Sequence, residues 1–172
     1  MDIHRIISSC LRTILLLTLF YSVCGCFYQP IQFVPPRTPL PDKDFLVIRN
    51  LPTTWNALLR ALEEDNDTRI SSQNRRRRKI VIKPTTVKLR TYCDCGKLGQ
   101  TPLSGKAHRA TIITLKQTAP QETVVKISSS YSTIHKWRNA DGRVVKEETI
   151  ACVSNGLFEK QLHKRILSYL SR

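Results

Sequence analysis

The chain has 172 residues, enough for one domain plus an export segment and too few for two ordinary domains with separate cores. Its 28 Lys and Arg against 13 Asp and Glu give a formal charge of +15, and the first 25 residues hold only Asp2, Arg5 and Arg12, which leaves +14 on the remainder. A field of that sign attracts phosphates, whether on nucleic acid, lipid headgroups or lipopolysaccharide, and says little about the fold. No internal repeat, Gly-rich phosphate loop or run of about 20 apolar residues is present.

At the N-terminus, Arg5 and Arg12 precede an apolar run from Ile14 to Tyr21 that is broken only by Thr18. It is too short to span a bilayer as a helix and has the proportions of a signal-peptide core. Val23-Cys24-Gly25-Cys26 follows directly and resembles the bacterial lipobox, an aliphatic residue, a variable one, a small one and then cysteine. That resemblance implies a signal peptide over residues 1–25, cleavage before Cys26, and acylation of the Cys26 sulfur and the new amine. Several acyl chains make attachment stable where one would be marginal. Phe27 rather than Asp follows Cys26; by resemblance to the lipoprotein sorting rule of enteric bacteria, this implies the outer membrane. Residues 26–43 contain five of the nine prolines (Pro30, Pro35, Pro36, Pro39, Pro41), so φ is fixed repeatedly and the stretch is expected to be a tether rather than a helix or central strand. In polyproline II, at about 3.1 Å per residue, residues 27–43 would reach roughly 50 Å.

A single α+β domain is expected over residues 44–172. Phe45 to Ile48 is a short apolar run that reads as a strand. Thr53 or Thr54 is the expected cap of a helix whose Trp55, Leu58, Leu59 and Leu62 form one apolar stripe. Segments 68–72, 79–83, 110–117, 122–135 and 143–152 are rich in β-branched residues and separated by turn formers, which predicts antiparallel strands. Thr111, Ile113 and Leu115 share one face of their strand, and Val125, Ile127, Ser129 and Tyr131 one face of the next. Asn139-Ala140-Asp141-Gly142 predicts a hairpin turn. The strand after it alternates poorly and its register cannot be assigned from the pattern. Phe158, Leu162, Ile166, Tyr169 and Leu170 form the stripe of a terminal helix, with Ser154, Asn155 and Gly156 as capping candidates. The two helices must bury their stripes on one face of an antiparallel sheet of about five to six strands, in the order β-α-β-β-β-β-β-α.

This outline resembles the helix-grip domains of small bacterial outer-membrane lipoproteins, the BamC-like group. The resemblance rests on the signal, the tether, the element order, Trp55 in the first helix, the Tyr92 to Gly96 stretch, and Cys152 before a Gly-opened terminal helix. It implies a non-enzymatic accessory of outer-membrane assembly or integrity, held in the periplasm by its lipid, and it carries over no catalytic residue.

Among the residues with chemistry to offer, Cys26, Cys93, Cys95 and Cys152 survive signal cleavage. With Cys26 acylated, one disulfide is expected in an oxidising compartment. Cys93 and Cys95 are too close in sequence to bridge without strain, whereas Cys152 ends a predicted strand that could lie beside the Tyr92 to Gly96 loop; Cys95 with Cys152 is the pair chosen, leaving Cys93 over. A zinc site would usually want two residues between paired cysteines and a fourth ligand, and neither is present, so no metal or other cofactor is expected. The charge run Arg75, Arg76, Arg77, Arg78 and Lys79 sits between two short strand candidates. It reads either as a solvated edge that opposes aggregation or as a contact for anionic headgroups. Export and the lack of interleaved aromatics speak against nucleic acid. His108, His135 and His163 lie on different elements without an acid or nucleophile to organise them, so they read as structural and an enzyme is not expected. Trp137, flanked by Lys136 and Arg138, reads as local packing at a strand end, with an interface anchor as the alternative. The expected partners are therefore a membrane and envelope proteins or anionic lipid, not a small-molecule substrate. Two rival readings exist. One is a secreted eukaryotic factor, with Asn66-Asp67-Thr68 as a glycosylation acceptor and processing at Arg75 to Arg78. The other is an envelope enzyme using Cys93 or Cys95 as a thiol nucleophile.

Overall fold

The computed structural model describes residues 32–37, 41, 43–65 and 67–171. The expected signal core and Cys26 lie outside these residues. One compact unit begins at Phe33. Its elements in chain order are β1 (Phe33–Val34), β2 (Asp44–Val47), α1 (Leu51–Glu63), β3 (Ile70–Asn74), β4 (Lys79–Lys88), α2 (Leu89–Tyr92), β5 (Cys93–Asp94), β6 (Lys97–Leu98), β7 (Thr101–Pro102), β8 (Lys106–Ala119), β9 (Glu122–Arg138), β10 (Val144–Ser154) and α3 (Leu157–Leu170). The architecture is α+β. A seven-stranded antiparallel sheet runs in the order β3-β4-β8-β9-β10-β5, with β2 also paired to β9, and a separate small sheet runs β1-β6-β7.

The long strand β9 organises the large sheet. Its first half pairs with β2 from Thr123 to Lys126 and its second half with β10, while β8 runs along its other edge. Alternation along β8 and β9 turns Ile113, Leu115, Val125 and Ile127 inward, together with Ile80 and Ile82 of β4. Against them pack Trp55, Leu58 and Leu62 of α1 and Phe158, Leu162 and Ile166 of α3, so both helices share one face of the sheet. Trp55 is a core residue, as its place in the stripe requires. A second, smaller core lies at the other end: Leu89, Cys93, Cys95, Ala107, Tyr131 and Ile150.

Several local expectations are adjusted. Helix α1 is capped by Asn50 rather than by Thr53 or Thr54: Asn50 Oδ1 accepts from the Thr53 N–H at 3.0 Å, and Pro52 occupies the first turn, where no donor is needed. The Thr54 hydroxyl instead donates to the Asn50 carbonyl. Helix α3 opens at Gly156, whose φ of 80° is the left-handed region, while Asn155 Oδ1 accepts from the Leu157 N–H. Strand β4 continues past Pro84 to Lys88 through a register shift between Ile82 and Thr85, which is how a proline is accommodated inside a sheet.

The strand whose register could not be assigned is β10. Its Val144 and Val145 are both exposed, because the β9–β10 hairpin projects past the core and contains a bulge between Val144 and Lys146. Only from Ile150 onward does β10 face an interior. The hairpin is closed as expected at 139–142, with the Arg143 N–H donating to Asn139 Oδ1 and Gly142 at φ 76°. On it, Trp137 donates to Glu148 and meets His135 edge to face, so it is packed locally.

The proline-rich stretch is not free throughout. Phe33 and Val34 pair with Leu98 and Lys97, and a side chain at Gly96 would collide with the Val34 carbonyl. Pro41 lies against Gly156 in the same way. The absence of a side chain at these two glycines is what lets the stretch lie down. β1 is an edge strand of two residues, so the prolines around it cost no ladder hydrogen bonds.

Candidate functional site

The basic run forms the turn between β3 and β4. Arg75 to Arg78 are all exposed. Their turn is fixed from its ends: Asn74 Oδ1 accepts from the Arg77 N–H at 2.8 Å, the Arg78 N–H donates to the Arg75 carbonyl, and Arg78 takes φ 54°. The Arg78 carbonyl then accepts from Leu115 of β8, which ties the turn to the sheet. Among the described residues none of the four arginines is in a salt bridge. Lys79, the first residue of β4, is half-buried beside Thr114. Four consecutive cations on a four-residue turn cannot all point the same way, so the tip presents positive charge over a wide angle.

The structure brings Cys95 and Cys152 together as a disulfide. Cys152 sits on β10 opposite Tyr131, and β10 pairs with β5 through Ser154 and Cys93, which draws the chain after Cys93 to the strand carrying Cys152. Asn155 tightens the same junction, its N–H bonded to the Tyr92 carbonyl and its side-chain amide to the Thr91 carbonyl. The loop before β6 is thereby pinned to the start of α3. Cys93 is the remaining thiol, buried, with its sulfur donating to the Leu89 carbonyl. The three sulfurs lie within 4.8 Å of one another. With two of them in a disulfide, only Cys93 has a thiolate to offer, short of a zinc donor set. Burial, reinforced by the Asp94 charge, pushes the Cys93 thiol up to about 11. A thiol so placed is almost entirely protonated near neutral pH, the opposite of an activated nucleophile.

The turn and the disulfide are separate places. On β8 the turn meets Leu115, whereas the disulfide side meets Arg109 through Tyr131, about 20 Å along the strand at roughly 3.3 Å per residue.

Between the two apolar cores lies a buried polar belt that pattern reading did not single out. Arg109, only 3% exposed, faces inward from β8, its guanidinium 3.8 Å from the centroid of the Phe158 ring. Its Nη2 donates to Thr68 Oγ1 at 3.3 Å, the Thr68 hydroxyl donates to Asp65 Oδ2 at 2.9 Å, and Arg165 of α3 pairs with that same oxygen at 2.9 Å. Burial alone would raise the Asp65 carboxyl. The Thr68 hydrogen bond, the bond and charge of Arg165, and the Asp67 N–H together hold it below its ordinary value instead. On the other side, Glu159 is buried at the start of α3, and the Ser154 hydroxyl lies 3.1 Å from each of its oxygens. Burial and then the Glu159 charge push the Tyr131 phenol well above its usual range. The signal for this belt was present in the alternation: Ala107, Arg109, Thr111 and Ile113 occupy one face of β8, and an arginine in an inward series is a buried charge.

The histidines are dispersed as expected. His108 is exposed, His135 stands against Trp137, and His163 stacks on Phe45 at 4.6 Å, where burial lowers its pKa. Cys26 lies outside the described residues, as does Asn66 of the glycosylation triplet. Among the described residues, no helix is long and apolar enough to cross a membrane. Compared with known protein families and with curated proteins, the chain matches none.

Proposed function

We propose that this chain is a membrane-anchored, non-enzymatic lipoprotein, acylated at Cys26, whose basic domain binds anionic lipid headgroups or envelope proteins and supports outer-membrane assembly or integrity from the periplasm. The observation that carries the reading is the β3–β4 turn, with four exposed arginines and no salt bridge to them among the described residues. A charge that only needed solvating would be as well served by mixed signs. An unmixed tip instead favours a surface of fixed negative charge, at about 1 kcal/mol per basic residue near it. The pairing of β1 leaves only residues 27–32 between Cys26 and the first strand, which favours a short reach from a lipid on Cys26.

The processed-factor reading is less well supported. A cut within Arg75 to Arg78 would separate β1, β2, α1 and β3 from the remaining strands, and the Cys95–Cys152 bond lies wholly on the C-terminal side of it. The thiol-enzyme reading is opposed by the buried, high-pKa Cys93. Vesicle co-sedimentation tests the proposal. Arg75→Gln with Arg77→Gln should weaken binding to vesicles containing an anionic phospholipid by about 2 kcal/mol, roughly thirtyfold, and added salt should weaken the wild type likewise. Equal binding to anionic and zwitterionic vesicles would refute it.

A further inference from the structure

We infer that the cleft between α3 and the second half of β4 is a binding site for a small carboxylate monoanion carrying an apolar or aromatic group, with Arg109 as its anchor. The cleft has a volume of about 490 Å³, a size that suits a ligand of modest mass. Its walls come from the α1–β3 loop (Asp65, Asp67), β4 (Thr86, Val87, Lys88), α2 (Thr91, Tyr92), β8 (Arg109) and α3 (Phe158, Gln161, Arg165).

Three observations give it an anion's chemistry. A guanidinium stays protonated at any physiological pH, and burying one without a countercharge is costly. Arg109 is 3% exposed, yet among the described residues no carboxylate forms a salt bridge with it. Its present compensation is the Phe158 ring and one neutral hydroxyl, and its Nε is a buried donor without a partner. The buried Glu159 of α3 forms no salt bridge with Arg109 among the described residues; its hydrogen-bond donor is the Ser154 hydroxyl, 3.1 Å from each of its oxygens. Arg109 thus lines the cleft as a permanent cation whose buried Nε is an unused donor, and the rim adds the exposed Lys88.

The acids of the cleft select the kind of anion. Asp65 is already paired with Arg165, and Asp67 adds a second negative charge. A dianionic phosphate would meet both carboxylates, whereas a carboxylate brings one charge and two coplanar oxygens that match the guanidinium edge. Tyr92 and Val87 supply apolar wall for the rest of the ligand. The same chemistry has two sources, a free organic acid and the C-terminal carboxylate of a polypeptide.

Nitrogen-detected side-chain NMR of the full chain reads the site directly, since the Arg109 Nε–H is itself a reporter. Benzoate represents a free acid and N-acetylphenylalanine a chain terminus; phenylalanine carboxamide blocked at its amine is the uncharged control, and inorganic phosphate the competing anion. Saturable shifts of the Arg109 Nε–H and of residues 86–92 with either carboxylate, and none with the carboxamide, are expected; the tighter of the two identifies the source. Arg109→Lys, which keeps the charge and loses the fork, should weaken binding roughly ten- to a hundredfold. Because a core variant can fail to fold, Lys88→Gln at the exposed rim serves as the second, with an expected weakening of about two- to fivefold. No saturable shift at Arg109, equal binding of the carboxamide, tighter binding of phosphate, or shifts centred on Arg75 to Arg78 instead would each overturn the assignment.

Discussion

Replacing both Cys95 and Cys152 by alanine removes a cross-link that spans 57 residues of chain. In the chain-entropy model, a loop of that length restricts the unfolded ensemble by about 14 cal/mol/K, or about 4 kcal/mol at 25 °C. Against a domain stability of roughly 5–15 kcal/mol this is a large share. The native contacts near the bond persist without it, because β10 still pairs with β9 over Val144 to Cys152 and Asn155 still bonds to Thr91 and Tyr92. Most of the loss should therefore appear as lowered stability, not as a rearranged fold. Urea unfolding followed by the fluorescence of Trp55, which is buried against α3 and the sheet, reads it. With a slope of about 2 kcal/mol per molar urea, the midpoint should fall by roughly 2 M, and adding reductant to the wild type should reproduce the shift. A midpoint unchanged in both would mean that the cross-link restricts nothing the unfolded chain would otherwise explore, and the reasoning would fail.

Other outcomes are specific to single side chains. Leu58→Ala removes a side chain at 0% exposure in the centre of the α1 stripe and should cost about 3 kcal/mol in urea unfolding while leaving the far-ultraviolet spectrum in place. Gly96→Ala would place a methyl group against the Val34 carbonyl at a residue with φ +84°, so β1 should detach; limited proteolysis within residues 32–43 should accelerate while the core stays protected. Asp65 has a carboxyl lowered from 3.8 in the folded state, so its stabilisation is complete above that value and is lost as pH falls through the folded value. The stability difference between wild type and Asp65→Asn, measured by thermal unfolding from pH 6 to pH 2.5, should shrink toward acid; a constant difference would contradict the network around Thr68 and Arg165.

Much of the fold was legible in the sequence because its determinants are local. The stripes Trp55-Leu58-Leu62 and Phe158-Leu162-Ile166 each point one way on a helix, and the alternation through Thr111, Ile113 and Leu115 has a single inward face. That Cys152 takes part in the disulfide was legible once Cys93 and Cys95 were judged too near to bridge each other; that its partner is Cys95 and not Cys93 depends on how β5 pairs with β10, which the sequence does not announce. Other features depend on partners distant in sequence. The docking of Phe33 and Val34 requires β6 and a glycine at 96, more than sixty residues on, so nothing within the proline-rich stretch announces it. The short elements α2, β5, β6 and β7 have two to four residues each, below the length at which periodicity carries a signal. β10 defeated its pattern because its first residues belong to a hairpin beyond the core, where no inside exists to impose alternation. The Arg109 cleft is assembled from four separate stretches of chain, and Arg109 itself lies one residue before the strand expected from Ala110, so the sequence reading did not find it.

The proposal that a lipid on Cys26 holds this domain at a membrane is tested most directly by metabolic labelling with a radioactive fatty acid, comparing wild type with Cys26→Ala. Label on the wild-type chain and none on the variant is the expected result. Equal labelling of the two, or an unlabelled wild-type chain recovered in the soluble fraction, would contradict it.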